Sequence, residues 1–349
     1  MPRSPLHDEH SRLNAKFVDF AGWEMPVQYE GVIAEHQAVR DSVGVFDVSH
    51  LGRFLVEGDG STGLIRRLLC NDIEEIEPGR AQYTMSLNDR GGVLDDIIVW
   101  RWGRERYWVI PNGANDDAIR SRFLDAAPGS VRVESIRETT ALVALQGPEA
   151  PAVFDKVFGL VPEHFGVTAG TFDGVDVQIA GTGYTGEVGG EIAVADTHAV
   201  GMFRALLDAG AVPCGLGSRD TLRLEMGYPL WGQDLDPDTT PLEAGLRWVV
   251  AWDHDFVGKE ALERQQQDGL PKRQVAFEMV GRKIPRHGYP MRAGSSTGAV
   301  ASGNFSPVLG KGIGLGYLAP PADHEAPVEV EIRGRWETAR RVRLPFIRR

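Results

Sequence analysis

The sequence predicts an α+β protein rich in antiparallel sheet and ending in a small β-barrel. Three observations predict this. Short strand-like runs alternate with amphipathic helical stretches over most of the chain. The 42 glycines and 21 prolines are spread throughout rather than gathered in a linker, so many turns join short elements. From Gln274 onward the pattern is almost entirely short strands punctuated by Gly/Pro turns. With 349 residues there is enough chain for two or three domains of roughly 100–200 residues each.

The elements follow in order. In EGVIAEHQAVRDSVGVFDVSH, Val32, Ile33, His36, Val39 and Val43 recur at three- and four-residue spacing and predict a helix ended by Gly44. VFDVS then reads as a strand, GLIRRLLCNDI as a short helix and YWVIPNG as a strand running into a loop. ANDDAIRSRFLDAA is a helix with an acidic first turn, which complements the helix dipole. TALVALQG predicts a strand, PEAPAVFDKVFG a helix with proline at its start, and VDVQIAG another strand. SRDTLRLEMG predicts a helix with Ser218 as N-cap and Gly227 past its end, and VGKEALERQQQDGLPKR a helix and connector. QVAFEMV, GAVASG, GIGLGYL, VEVEI and ARRVRLPF supply the barrel strands.

Composition narrows the function classes. A net charge of −12 argues against nucleic acid as the main partner, because phosphate binding relies on Lys/Arg neutralisation. No apolar run approaches the ~18 residues of a membrane helix. The N-terminal MPRSPLHDEHSRLNAKF has no apolar core of a signal peptide, so a cytoplasmic location is expected. Cys70 and Cys214 lie far apart and outside any CxxC, which gives neither a disulfide framework nor a zinc site.

Four stretches carry candidate chemistry. GTGYTGEVGGEI contains a formal GxGxxG at Gly181, Gly183 and Gly186, but a strand pattern follows where a dinucleotide site needs a helix. It reads instead as a hairpin or an open loop where backbone approaches a ligand, with Tyr184 to stack and Glu191 to accept hydrogen bonds. His50 in FDVSHLG has a notable setting, although a hydrogen-bonded structural histidine is the favoured interpretation there. Arg219 and Arg223 lie four apart on one helix face, either as surface ion pairs or as a clamp on a carboxylate. In GGVLDDIIVW, strand alternation sends Asp95 and Asp96 to opposite faces, so they do not share a metal. Both faces are otherwise apolar, and periodicity does not say which carboxylate meets a cavity.

The whole set of motifs adds a further argument. SPLHDEH…AKFVDFAGWEMPVQYEG…EHQAVRDSVGVFDVSHLG, YTMSLNDRGGVLDD, ALQGPEA, GYTGEVGGEI, GLGSRDTLRLEMGYPLWGQDLD, PLEAGL, FVGKEAL, IPRHGYPM and SGNFSPVLGKGIGLGYL occur in register. Together they resemble the aminomethyltransferase (T-protein) family of the glycine cleavage system, from residue 4 to about residue 345. The resemblance implies a three-domain cloverleaf around a central folate channel. It divides the chain into 1–50 plus 140–250 (discontinuous, folate-binding), 51–139 (carrying the catalytic aspartate) and 270–349 (the barrel). It also implies transfer of a one-carbon unit from an aminomethyl group on the lipoyl arm of the H-protein to tetrahydrofolate, with no redox step and no metal.

Carried over residue by residue, the resemblance makes Asp96 the catalytic carboxylate near N10 of the folate, with Asn112 beside it. Glu191 matches the glutamate that grips the pterin, and Arg219 the arginine facing the folate's glutamate tail. Tyr83 and Tyr184 match aromatics lining the pocket, and Arg292 adds a tail contact. There are departures. Gly181 stands where the family usually has arginine, and Leu51 gives SHLG in place of SHMG. Tyr228 and Trp231 are also unusual. Two other classes compete: a folate-dependent demethylase or methyltransferase acting on a small N- or S-methyl compound, and a non-catalytic folate-binding relative that assists iron–sulfur-cluster assembly. The intact Asp95–Asp96 pair disfavours the first, and the absence of cysteine from IAGTGYTGE disfavours the second.

Overall fold

The computed structural model describes residues 1–321 and 326–349. The chain divides into two compact units. The first comprises Met1–Leu68, Asp72–Thr84 and Asp96–Asp220, and the second Leu69–Asn71, Met85–Asp95 and Thr221–Arg349.

The first unit is built around two sheets. One has six strands in the order 167–172, 175–180, 189–195, 140–146, 44–47 and 212–214; its last pair is parallel and the others antiparallel. Thr140–Gln146 is apolar on both faces and lies in mid-sheet, where both faces are covered. The helices Ala150–Phe158 and Ala199–Asp208 contribute Val153, Phe154, Met202, Phe203 and Leu206 to one cluster with Val143, Leu145 and Ile192. Each such side chain contributes roughly 1.5–3 kcal/mol by leaving water. The other sheet has five strands in the order 80–87, 93–103, 106–110, 54–57 and 132–135. The turn of its first hairpin, residues 85–95, belongs to the second unit.

A short strap ties the two sheets of this unit together. On one side Val167 donates its amide to Gly79 (2.7 Å), Ala81 donates to the Phe165 carbonyl (2.8 Å), and Arg80 donates Nη2 to the His164 carbonyl (2.9 Å). On the other side Phe165 donates to Gly181 (3.0 Å) and Gly181 to Gly166 (2.8 Å).

In the second unit, strands Arg273–Met279, Lys311–Ala319, Ser296–Ser306, Pro290–Ala293, Val328–Ile332 and Arg335–Val342 close into a barrel in that order. Val275, Phe277, Met291, Val300, Leu318 and Val330 fill it. Mixed α and β structure, antiparallel sheets and a terminal barrel are therefore all present as the sequence leads one to expect.

Three local expectations change. Pro290–Ala293 is a strand that the pattern does not reveal, being four residues long and opened by a proline. The helix at 32 ends at Asp41, because Gly44 pairs with Gln146 and begins a strand instead of capping the helix. Ser218 lies inside the helix Leu216–Met226. The carboxylate of Glu35 accepts the Gly215 amide (2.8 Å), so a group distant in sequence satisfies the helix start.

Candidate active site

The two aspartates lie on the strand Val93–Gly103, along which burial alternates. Val93, Asp95, Ile97 and Val99 are buried, whereas Leu94, Asp96 and Ile98 are partly exposed. Asp95 is therefore on the closed face and Asp96 on the open one. The glycines before them have a steric cause: a Cβ on Gly92 would overlap the Pro237 carbonyl of the same unit.

Asp96 is held by two neutral donors. Tyr83 donates its hydroxyl to Oδ2 (3.0 Å), and Asn112 donates Nδ2 to Oδ1 (2.8 Å) and to the Asp96 carbonyl (3.1 Å). The register that pairs Ile98 with Ile110 brings residue 112 opposite residue 96, so sheet geometry sets this contact. Donors on both oxygens orient a carboxylate. These contacts fix the direction of the Asp96 carboxylate within the sheet.

The second group of predicted residues gathers around the Gly-rich loop. Glu191 lies in the strand Gly189–Ala195, between Ala144 and Ala180 of its neighbours, and is 6% exposed. Its Oε2 accepts from Thr182 (2.5 Å), nine residues earlier in the loop. The loop itself is pinned. Gln146 accepts from Thr185 (2.9 Å), and Arg40 donates to the Thr185 carbonyl (2.8 Å) and pairs with Glu187 (2.7 Å). Arg219 lies over the Tyr184 ring, 4.9 Å from its centroid. Burial lowers the pKa of Arg219, while the nearby Glu191 carboxylate acts in the opposite direction. Its Nη1 has no hydrogen-bond partner. An unmatched donor beside a buried acceptor is what a polar ligand edge requires.

The structure thus brings Asp96, Asn112 and Tyr83 together, and likewise Glu191, Arg219 and Tyr184. Arg292 belongs to the other unit, where it pairs with Glu329 (2.7 Å) and lies over the Trp336 ring. Sequence reasoning missed Thr182, Gln146 and Arg40. Thr182 could have been found from a hairpin through the glycines, which returns position 191 to its side. Gly181 is explained by the strap: a Cβ there would overlap the Glu163 carbonyl, so backbone occupies the space of the expected arginine. Among the described residues no cluster of three or more potential metal ligands forms, and no helix is long and apolar enough to cross a membrane.

Comparison with known proteins shows the family. Residues 6–254 match the family model described as the GCVT N-terminal domain, and residues 272–347 the glycine cleavage T-protein C-terminal barrel domain. An aminomethyltransferase of Rubrobacter xylanophilus is 45% identical, over 99% of this chain and 94% of its own length. One of Halothermothrix orenii is 40% identical over 99% of this chain and the whole of its own. The crystal structure of the glycine cleavage system aminomethyltransferase T from Bartonella henselae superposes with a TM-score of 0.91 at 33% identity, covering 99% and 98% of the two chains. The chain belongs to the aminomethyltransferase family of the glycine cleavage system.

Proposed function

We propose that this enzyme takes the aminomethyl group from the dihydrolipoyl arm of the H-protein and transfers its one-carbon unit to tetrahydrofolate, with Asp96 as the catalytic carboxylate. The balance is simple. The C–S and C–N bonds of the aminomethyl group break, and two C–N bonds form at N5 and N10 of the folate. The two protons leaving those nitrogens go to ammonia and to the freed thiol. The products are 5,10-methylenetetrahydrofolate, ammonia and dihydrolipoyl H-protein.

The observation that carries this proposal is the Tyr83–Asp96–Asn112 arrangement. Positive charge develops on the aminomethyl carbon as its substituent departs. A carboxylate fixed in direction stabilises that charge most where water is scarce. The same carboxylate can accept a hydrogen bond from N10–H and aim that nitrogen at the carbon.

The pterin edge offers two donors, the 2-amino group and N3–H, and then the C4 carbonyl as acceptor. Glu191 supplies acceptors and Arg219 an unused donor, and together they complement that edge. The resemblance points Arg219 toward the folate tail. Its closeness to Glu191 favours the pterin end, because the tail of an extended folate lies far from the pterin.

The experiment is folate-dependent ammonia release from aminomethylated H-protein, run beside small N- and S-methyl compounds. Release from the H-protein, and none from the small compounds, is expected. The reverse pattern would move the chain to the demethylase or methyltransferase class.

A further inference from the structure

We propose that His50 is a further folate-binding residue whose Nδ1 hydrogen-bonds the reduced pteridine ring. This rests on the function proposed above. His50 follows the strand Gly44–Asp47 and is 3% exposed. Its ring meets Phe20 edge-on, with centroids 5.2 Å apart and planes at 81°. Its carbonyl occupies the space a Cβ on Gly113 would need, so it adjoins the turn that bears Asn112. Arg219 is close enough to act on its charge. His50 therefore adjoins the turn next to Asn112 and lies within electrostatic reach of Arg219.

Its Nδ1 is buried without a hydrogen-bond partner. An imidazole nitrogen left unpaired in the interior is costly, which makes it a marker for a missing polar group. The Asp47 carboxylate, which acts on the His50 charge, does not fill the role. Oδ2 of Asp47 accepts from the Ser4 hydroxyl and bonds His10 Nε2 (2.8 Å), while Oδ1 accepts the Ser49 amide (2.9 Å). The side-chain amide of Asn112 donates to Asp96. Burial, reinforced by Arg219, Arg53 and Arg137, outweighs the attraction of Asp47 and draws the His50 pKa down to about 3. The ring is neutral, with one donor and one acceptor, which suits the uncharged N–H and ring-nitrogen groups of a pteridine.

Asparagine and glutamine separate this from a packing role. His50→Asn places an amide atom close to the Nδ1 position, His50→Gln extends beyond it, and His50→Leu offers no polar atom. Calorimetric titration with tetrahydrofolate and with 6-methyltetrahydropterin reads the contact directly. Leu and Gln are expected to weaken both ligands roughly 5- to 100-fold, with Asn within about threefold of wild type. Thermal melts should be alike for Asn and Gln, so that their difference in affinity is not a folding effect. Unchanged binding by the Leu variant, or equal losses in Asn and Gln, would overturn the proposal. A loss confined to tetrahydrofolate would place the contact on the benzoylglutamate and overturn it too. If wild type binds tetrahydrofolate and transfers the one-carbon unit, these failures concern His50 alone; if it does neither, the function itself is wrong.

Discussion

Arg219 and Arg223 stand one turn apart on the helix Leu216–Met226, and their surroundings differ in kind. Arg223 is buried and saturated: Nη1 reaches Asp234 (2.8 Å) and the Tyr228 carbonyl (3.0 Å), and Nη2 reaches Ser302 (2.7 Å). Arg219 lies over an aromatic face with Nη1 unmatched. Two guanidinium groups with the same sequence signature thus divide into one whose donors are matched and one with a donor left over. Satisfied valence, more than burial or charge, separates the structural residue from the one proposed to face the folate.

The largest effect should come from breaking the saturated partner. Arg223→Leu leaves Asp234 buried without its cation and should cost about 3–5 kcal/mol in denaturant unfolding. Unaltered stability would erase the distinction between the two arginines. Next is Asp96→Ala, which should slow ammonia release in single turnover by roughly 10²–10³ while shifting folate affinity far less. Near-normal turnover would remove Asp96 from the chemistry.

Arg219→Leu should invert the Arg223 result. Folate affinity falls by about 1.5–3 kcal/mol, and unfolding changes much less than in Arg223→Leu. Calorimetric titration beside denaturation measures both. The smallest effect concerns acid. His50 has a folded pKa near 3 against an ordinary 6.5, so the unfolded chain takes up a proton first as pH falls. Its stability contribution is complete above about pH 6.5 and is lost progressively toward 3, on the order of 1–2 kcal/mol by pH 5. Asp47, held near 2 by His10, Ser4 and Ser49 despite its burial, stays ionised throughout that window. His50→Asn should therefore flatten the decline in melting temperature between pH 7 and pH 5. An unchanged slope would mean that His50 titrates normally in the folded protein.

Much of the architecture was legible because it depends on local pattern. TALVALQG announces a strand, and the run of short strands after Gln274 announces a barrel. Ser218 misled because local capping rules cannot see Glu35, a carboxylate 183 residues away that serves the same helix end. The choice between Asp95 and Asp96 was illegible to periodicity for a related reason: exposure depends on which face the rest of the fold covers, and both faces are apolar. Family resemblance pointed to Asp96, and the strand leaves Asp96 partly exposed while Asp95 is buried. The orphaned nitrogen of His50 lay beyond sequence altogether, since an unmatched valence is visible only once every neighbour has been placed.

The strap against Gly181 has a consequence for protein engineering. Replacing a residue by the one usual among relatives is a common stabilising strategy, because such residues tend to suit the shared backbone. Here the Glu163 carbonyl occupies the place of a Cβ on Gly181, so Gly181→Arg, the residue the resemblance leads one to expect, is an insertion into occupied space rather than a repair. It would have to push aside a segment hydrogen-bonded to both sheets. Grafting this loop from a relative would therefore require carrying residues 162–167 with it, as a single exchangeable part.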